Sequence, residues 1–440
     1  MQDYFEKLAS AVCTPVPGTE LVSLSFAAET TDFIRFNHAL VRQATHVEQR
    51  SASVSVIGGL RRSTGGVTLS GDVTADVGAL VAERSALIAQ LPLVPEDKYL
   101  LLPDTVTSTT RVSEARLPSA AQVIEAVAKH AEGTDFVGLY AGGPVIRGYA
   151  DSRGQRNWHS VASFQFEWSL YRRADQAVKS SYAGTDWNEN VFARKMTRAR
   201  EQVKLLERPL KTLLPGKYRV YFTPVAVADL LGTLSWGGFG LKSLKTGVST
   251  LMQLHRGEAQ LSEAMSLTEA IVDGTAPRFQ DDGFVKPDAV RLVVHGRPVG
   301  TLNSPRSAKE YGETATGANG GEWPESLSLA PGSLPETDVL EKLGTGVYVS
   351  NLHYLNYSDR AACQMTGMTR FACFWVENGE LVAPIAVMRF DDSFLRMFGP
   401  GLVALTAESE VTPDNGSYGG RQLGSITNPG AIVEGFRFTL

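Results

Sequence analysis

The side chains that could do chemistry in this chain are scattered, and few of them share a metal-binding or catalytic spacing. The seven histidines are His38, His46, His130, His159, His255, His295 and His353. No two of them are three or four residues apart, so no single helix turn presents two imidazoles to one metal ion. A site assembled from distant segments, such as His255, His295 and His353 with Asp359, stays open as an alternative.

The cysteines give no sign of a disulfide framework or a metal site. The chain has only Cys13, Cys363 and Cys373, and no two of them form a C-x-x-C pair. Structural zinc sites and disulfide-rich domains need closer and more numerous cysteines. We expect three buried or half-buried free thiols in a reducing compartment.

Other catalytic patterns are equally weak. Neither Ser249 nor Ser417 lies in the G-x-S-x-G pattern of a nucleophile elbow. The acid pairs at 281–282 and 391–392 are neighbours in sequence, and neighbours in a strand point to opposite faces. We therefore predict turns at both pairs. The stretch GANGG lacks the lysine of a phosphate-binding loop.

The hydrophobic periodicity predicts the elements that must position any site. Alternation punctuated by glycines at 58–59 and 65–66 predicts three or four antiparallel strands near the start of the chain. Helices are predicted to begin at Asp72 and Ser119, and a long helix to lead to Pro209. The segment that follows Pro215 alternates like a large sheet, apart from one helix that begins at Pro224.

The length and composition favour two domains of the α+β class. The chain has 440 residues, 43% of them hydrophobic and 20% charged, which are ordinary globular values. We predict an N-terminal domain of antiparallel strands with helices over residues 1–215. A C-terminal domain dominated by a large, mostly antiparallel sheet is predicted over residues 216–440.

The charge and the hydropathy pattern argue against some partners. The net charge is −5, whereas proteins that bind phosphate backbones usually carry a basic field. No basic segment followed by an apolar core opens the chain, and no apolar run reaches membrane-spanning length. We therefore expect a cytoplasmic protein with no direct nucleic-acid partner and no membrane partner.

A long segment rich in glycine, proline and serine is the best remaining candidate for a binding site. It covers residues 303–335 and includes Tyr311 and Trp323. Long irregular segments in compact proteins are often functional, and exposed aromatic side chains suit contacts with a peptide or a partner. A plain surface loop is the alternative. Exposed strands of the C-terminal sheet could also hold an extended peptide through main-chain hydrogen bonds.

Three stretches of the sequence resemble the TldD/PmbA family, formerly labelled modulator of DNA gyrase. They are FIRFNHALVRQATHVEQRSASVSVI near the start, MTGMTRFACFWVENGEL in the second half, and NPGAIVEGF near the end. The resemblance implies a chain that pairs with a related chain into a cytoplasmic proteolytic chamber. It also implies two chain types: a TldD type with H-E-x-x-x-H on a helix after a strand and a C-terminal cysteine, and a TldE/PmbA type.

The zinc-binding residues of the TldD type have no counterparts in this sequence. The two histidine positions fall on Thr223 and Ala228, and the glutamate position falls on Pro224. The segment 411–424, where the cysteine is expected, contains none. Two histidines hold zinc and the glutamate serves as general base in such motifs, and none of the three replacements can do so. The resemblance thus implies a TldE/PmbA-like chain without cofactor, with zinc only in a TldD-type partner.

The sequence leads to one functional hypothesis and two alternatives. The hypothesis is a non-metal-binding subunit that is inactive alone, completes a TldD/TldE-type metallopeptidase and positions peptides or unfolded protein segments. One alternative is a non-enzymatic homodimeric interaction protein. The other is a peptidase with a relocated metal site.

Overall fold

The first half of the chain forms a seven-stranded sheet. The computed structural model describes residues 1–173 and 175–439. The strands of the first sheet are β1 (Leu21–Asn37), β2 (Leu40–Gly58), β3 (Arg61–Thr68), β4 (Thr110–Val112), β5 (Asp135–Asp151), β6 (Arg156–Arg173) and β7 (Gln176–Gly184). Their order is β3-β2-β1-β5-β6, and β4 and β7 both pair with β6. Among the strands that the structure describes in this sheet, only the short β4–β6 pair is parallel, so the predicted antiparallel strands are confirmed.

The tight turns of this sheet follow from their backbone angles. Gly59 and Leu60 both have positive φ between β2 and β3, which is the geometry of a two-residue hairpin turn. The predicted turn at 58–59 is thus correct. Gly65 and Gly66 lie inside β3 instead of in a turn. A Cβ at Gly65 would lie 1.8 Å from the carboxylate of Glu83, so the glycine leaves space for the helix packed on this strand.

Four helices pack around the first sheet. They are α1 (Gln2–Val12), α2 (Val73–Gln90), α3 (Ala120–His130) and α4 (Glu189–Leu205). The side chain of Asp72 accepts the Ala75 N–H at 2.8 Å and so begins α2, as predicted. Ser119 forms a capping box with Gln122 at the start of α3, also as predicted.

The second half forms a thirteen-stranded sheet. Its strands are β8 (Gly216–Phe222), β9 (Leu267–Glu269), β10 (Val290–Val294), β11 (Arg297–Pro298), β12 (Ser326–Leu329), β13 (Gly346–Val349), β14 (Asn351–Asp359), β15 (Gln364–Arg370), β16 (Phe374–Glu377), β17 (Glu380–Pro384), β18 (Arg389–Ser393), β19 (Leu402–Pro413) and β20 (Ser425–Phe438). The central path is β11-β10-β9-β12-β20-β8-β13-β16-β17, and β14, β15, β18 and β19 branch from it through β20. Most pairs are antiparallel; β12–β20 and β8–β13 are parallel.

The remaining helices are short. They are α5 (Pro224–Leu234), α6 (Leu241–Lys245), α7 (Met252–His255), α8 (Pro305–Tyr311), α9 (Val339–Leu343) and α10 (Phe394–Met397), with 3-10 turns at Leu91–Leu93 and Glu336–Asp338. Within the described part of the chain, no helix is long and apolar enough to cross a membrane. The α+β class and the two large sheets predicted from the sequence are confirmed.

One hydrophobic core joins the two sheets. Trp168 of β6 and Phe192 of α4 belong to the same buried cluster as Tyr221 of β8 and Phe374 of β16. The first sheet ends at Gly184 and the second begins at Gly216. The division into domains 1–215 and 216–440 stays a prediction, because a shared core leaves open whether either part folds alone.

The prediction for the two acid pairs was half right. Asp281 and Asp282 lie in a turn, as expected. Asp391 and Asp392 lie in strand β18, so a turn there was wrong. Asp392 is buried and forms an ion pair with Arg396 at 2.6 Å. A buried and paired carboxylate can occupy a strand position that its residue type alone disfavours.

Candidate functional site

Helix α5 begins directly after a central strand of the second sheet. Strand β8 pairs with β20 on one side and with β13 on the other. Thr223 follows the strand in an extended conformation, and its Oγ1 accepts the Ala226 N–H at 3.3 Å. The same hydroxyl donates to the Ser350 carbonyl at 2.6 Å. Pro224 follows in the first helical turn, where its missing N–H costs nothing.

The body of α5 is held by packing. Its buried side chains include Ala226, Val227, Leu230, Leu231 and Leu234, each 0% exposed. They belong to the main core cluster of the second sheet. The predicted apolar face of this helix is therefore present, and it fixes the residues on the opposite side of the helix in space.

The three positions of the expected zinc motif do not fit a metal ion. The Thr223 hydroxyl is already used in two hydrogen bonds, and Pro224 offers only its carbonyl, which accepts from Asn428 Nδ2 at 2.8 Å. Ala228 presents a methyl group that is 4% exposed. Zinc sites in proteins use imidazole, thiolate or carboxylate ligands, and these three side chains supply none.

The other metal-ligating side chains do not come together. In residues 1–173 and 175–439, no three His, Cys, Asp or Glu side chains form a group that could hold a metal ion. This includes His255, His295, His353 and Asp359, which the sequence left open as a distant set. His295 instead contacts the Glu263 carbonyl at 3.3 Å, and the ring of His353 packs on that of Tyr354.

The cysteines are free and buried, as predicted. Burial raises the pKa of the Cys13 and Cys363 thiols to about 12. Burial also raises the pKa of Cys373. Because the thiolate is the reactive form, these thiols are unreactive near neutral pH. Segment 411–424 holds no cysteine, and its Arg421 is buried against the first sheet.

An open cavity of about 750 Å³ lies beside α5, and we call it the α5 cavity. Such volumes are typical of small-molecule and peptide side-chain sites. Its lining comes from α5, from the two loops that carry Trp236 and Trp323, from β14 and from the facing ends of β19 and β20. The lining residues are Ala228, Asp229, Gly232, Thr233, Ser235, Trp236, Gly237, Gly321, Trp323, Pro324, Leu355, Thr412, Pro413, Asp414, Gly424, Ser425 and Ile426.

Asp229 is the acidic residue of α5 that lines this cavity, and Thr233 of the same helix lines it as well. Its Oδ2 accepts the Leu352 N–H at 3.1 Å, and none of the described residues donates to its Oδ1. Burial raises the pKa of Asp229 to about 7, although the Leu352 N–H and the charge of Lys179 act in the opposite direction. The negative charge of Glu167 raises the pKa slightly further. A cation placed at the free oxygen would therefore stabilise the ionised form of this buried carboxyl group.

Both tryptophans of the cavity are exposed and carried on fixed backbone. Trp323 is 56% exposed and Trp236 is 53% exposed. The Asn319 side chain donates to the Trp323 carbonyl at 2.9 Å and closes the turn that carries this residue. Arg360 donates to the Trp236 carbonyl at 2.8 Å. Two indole rings displayed on fixed backbone offer aromatic area at little cost in conformational entropy.

The loop that carries Trp323 is more ordered than the sequence indicated. Segment 303–335 contains helix α8 and strand β12, whereas residues 312–325 and 330–335 form no helix or strand, so the prediction of a long irregular segment was only partly correct. The buried carboxylate of Glu322 accepts the Ser304 N–H at 2.9 Å and the Lys242 N–H at 2.8 Å. These bonds tie the segment to α6 and α8. A buried glutamate that caps two backbone segments has no recognisable sequence signal.

The structure brings some of the predicted site residues together and separates others. Ala228 and Trp323 line the α5 cavity. Thr223 and Pro224 line a separate, small cavity of about 90 Å³ between the sheets. Tyr311 ends α8, is half-buried and lies outside both linings.

Sequence reasoning missed Asp229 and Trp236 as site residues. Both are in the lining of the α5 cavity. Asp229 is the one charged residue in a mostly apolar helix, and such a lone charge is a sequence signal that could have indicated a functional residue. Trp236 lies two residues after the end of the helix, but only the fold shows that it lines the same cavity as Trp323.

Comparison with known proteins places this fold among metallopeptidase-related chains. The family model of the PmbA/TldA metallopeptidase C-terminal domain matches residues 215–440, just over half of the chain. The chain therefore belongs to the TldD/PmbA family, as the sequence resemblance implied. No curated protein matches it significantly.

Solved structures share the fold at low sequence identity. TldE from Thermococcus kodakarensis has a TM-score of 0.79 and 14% identity, over 100% of this chain and 99% of that one. A Thermotoga maritima protein described as a modulator of a DNA gyrase has a TM-score of 0.75 and 15% identity, over 99% of both chains. A Bacteroides thetaiotaomicron protein described in the same way has a TM-score of 0.76 and 15% identity, over 100% of this chain and 97% of that one.

Proposed function

We propose that this chain is the TldE/PmbA-like, non-metal-binding subunit of a cytoplasmic peptidase whose zinc is carried by a TldD-type partner chain. The observation that carries the proposal is the junction of β8 and α5. The strand-to-helix frame is kept there, while Thr223 caps the helix, Pro224 starts it and Ala228 presents a methyl group. The paired enzyme acts on peptides or unfolded protein segments.

In the proposed pair, one chain holds the metal ion and the other holds the substrate. Hydrolysis of a peptide bond near neutral pH needs a strong nucleophile, and bound zinc supplies one by lowering the pKa of its water. The replaced positions of this chain cannot hold that ion. What the chain does offer is the α5 cavity, whose exposed aromatic walls and half-buried carboxylate suit the holding of a substrate. Positioning a substrate against another chain's reactive group is a sufficient contribution to catalysis.

The edge of the second sheet next to this cavity supports a peptide substrate. Strand β14 pairs with β15 alone among the described strands, so its other edge has no strand partner. Leu355 of β14 lines the α5 cavity, and Tyr354 beside it is 75% exposed. An extended peptide can add to such an edge through main-chain hydrogen bonds and place alternate side chains into a neighbouring pocket.

Co-purification with candidate TldD-type chains, followed by a peptidase assay of the complex, tests the proposal. We expect this chain alone to contain no stoichiometric zinc and to cleave no peptide. The complex should cleave an unfolded protein substrate and lose that activity with a chelator. Chelator-sensitive cleavage by this chain alone, in a preparation free of any TldD-type chain, would contradict the proposal.

The same preparation separates the two alternatives. A stable homodimer that pairs with no TldD-type chain would favour the non-enzymatic interaction protein. Stoichiometric zinc in the isolated chain, measured by elemental analysis, would favour a relocated metal site. A gene for a related chain that keeps H-E-x-x-x-H in the same genome is a further requirement of the peptidase proposal.

A further inference from the structure

The charges that line the α5 cavity have one sign. Its lining contains the carboxylates of Asp229 and Asp414, and it contains no lysine, arginine or histidine. Asp414 is exposed and uses its Oδ1 to accept the Gly416 N–H at 2.8 Å. Asp229 is half-buried and keeps Oδ1 free of protein donors among the described residues. Two cations lie near the cavity but outside its lining: the charge of Lys179 acts on Asp229, and Arg360 donates to the Trp236 carbonyl. The lining itself carries only negative charge and is therefore complementary to a cation.

The walls of the cavity have the composition that favours an organic cation. Trp236 and Trp323 both contribute exposed indole rings, and Leu355 and Ile426 add apolar surface. The face of an indole attracts ammonium and guanidinium groups, and tryptophan does so more strongly than the other aromatic residues. A long aliphatic stem that ends in a cation matches apolar walls with a carboxylate.

We propose that the α5 cavity binds the side chain of a lysine or arginine in an extended peptide, with the cation at Asp229 and the stem beside Trp236 and Trp323. The inference rests on the proposed role of this chain in holding peptide substrates and gives that role a specificity. It assigns the cavity to one chemical class of residue, and it makes Asp229 the group that selects it.

Other occupants fit the cavity less well. An acidic side chain would meet two carboxylates in a lining that contains no cation, and Lys179 acts on Asp229 only from outside that lining. A purely apolar side chain would displace water from the free oxygen of Asp229 and give nothing in return, and unpaired buried polar groups are costly. A peptide amino terminus carries the right charge, but it lacks the long aliphatic stem that the apolar walls of the cavity would cover.

A binding assay on the isolated full-length chain tests the inference. The probes are short glycine-rich peptides, acetylated at the amino terminus and amidated at the carboxyl terminus, with lysine, arginine, Nε-acetyl-lysine or norleucine at the centre. A fifth probe contains only glycine and has a free amino terminus. Calorimetry or tryptophan fluorescence measures the dissociation constants. We expect the lysine and arginine peptides to bind about tenfold or more tightly than the two neutral ones.

Variants connect the binding to named side chains. Asp229→Asn keeps an oxygen that can accept the Leu352 N–H, so the fold should persist while the charge is lost. We expect it to bind the lysine peptide about tenfold more weakly. Trp323→Ala should weaken binding, and Trp323→Phe should restore part of the loss. Asp104→Asn is the control, because this substitution removes the same charge from an exposed residue outside the cavity lining.

Three results would overturn the inference. They are equal affinity for the lysine and norleucine peptides, an unchanged affinity of Asp229→Asn, and binding of the free amino terminus alone. No partner chain takes part in this assay, so its outcome is separate from that of the co-purification. A chain that fails to form an active complex can still bind lysine peptides, and an active complex can lack this preference.

Discussion

Replacing Thr223 by alanine should destabilise the chain in a predictable way. The substitution removes the cap of α5, which is worth about 1 kcal/mol for a threonine. It also removes the hydroxyl that donates to the buried Ser350 carbonyl at 2.6 Å, which adds about 1 kcal/mol. Both bonds are made by the same hydroxyl, so the substitution removes them together. We expect a loss of about 2 kcal/mol in the free energy of unfolding.

Urea unfolding, followed by tryptophan fluorescence and circular dichroism, measures this loss. A lower midpoint with an unchanged slope indicates a change in stability alone. Thr223→Ser keeps the oxygen and should recover most of the loss. Thr197→Ala is the matched control, because Thr197 is exposed inside α4 and only donates back to the Ala193 carbonyl. Such bonds within a helix contribute little stability.

Two outcomes would contradict this role of the Thr223 hydroxyl: Thr223→Ala no less stable than Thr197→Ala, or Thr223→Ser as destabilised as Thr223→Ala. Either result would mean that the hydroxyl at 223 is not a structural cap. The replacement of the expected zinc ligand would then need an explanation other than its role in starting the helix.

Three further predictions follow from other contacts. Because burial raises the pKa of Asp229 from 3.8 to about 7, the native state holds a proton between these values that the unfolded chain has lost. The stability contributed by this proton is complete below pH 3.8 and is lost as the pH rises through 7, and Asp229→Asn should remove that slope from pH-dependent unfolding. Arg421→Met leaves the carbonyls of Gly143 and Ser163 without their donor, so urea unfolding should show a loss of about 3 kcal/mol, whereas a loss under about 1 kcal/mol would contradict the contact. In an active complex, Trp323→Ala should raise KM for a lysine-containing peptide about tenfold and leave kcat unchanged, and a fall in kcat alone would contradict a binding role.

The sequence predicts the fold well where local signals agree with each other. The capped starts of α2 and α3 at Asp72 and Ser119 and the alternation of the first sheet were all readable. The class and the two sheets follow from those patterns. The prediction of a turn at Asp391 and Asp392 was wrong because the buried Asp392 forms an ion pair with Arg396, which permits an acid in a strand. Such an ion pair forms only in the folded chain and has no signal in the local sequence.

The candidate site is only partly predictable. The family resemblance identifies the helix, and the residue types at its start exclude metal ligation. The α5 cavity depends on segments that are far apart in sequence, because Trp236 and Leu355 meet Ile426 only after the sheet has formed. Trp323 was predicted from the composition of its segment alone. Asp229 was not predicted, because its raised pKa results from burial in the folded chain and leaves no mark in the sequence.

The central claim is that this chain contributes to proteolysis without holding the metal. A titration measures it directly: increasing amounts of the chain are added to a fixed amount of a zinc-loaded TldD-type chain, and peptide cleavage is followed. We expect no cleavage by this chain alone, and a cleavage rate that rises with added chain and saturates at one chain per partner. Cleavage by the isolated chain that a chelator abolishes, or a partner rate that the chain leaves unchanged, would contradict it.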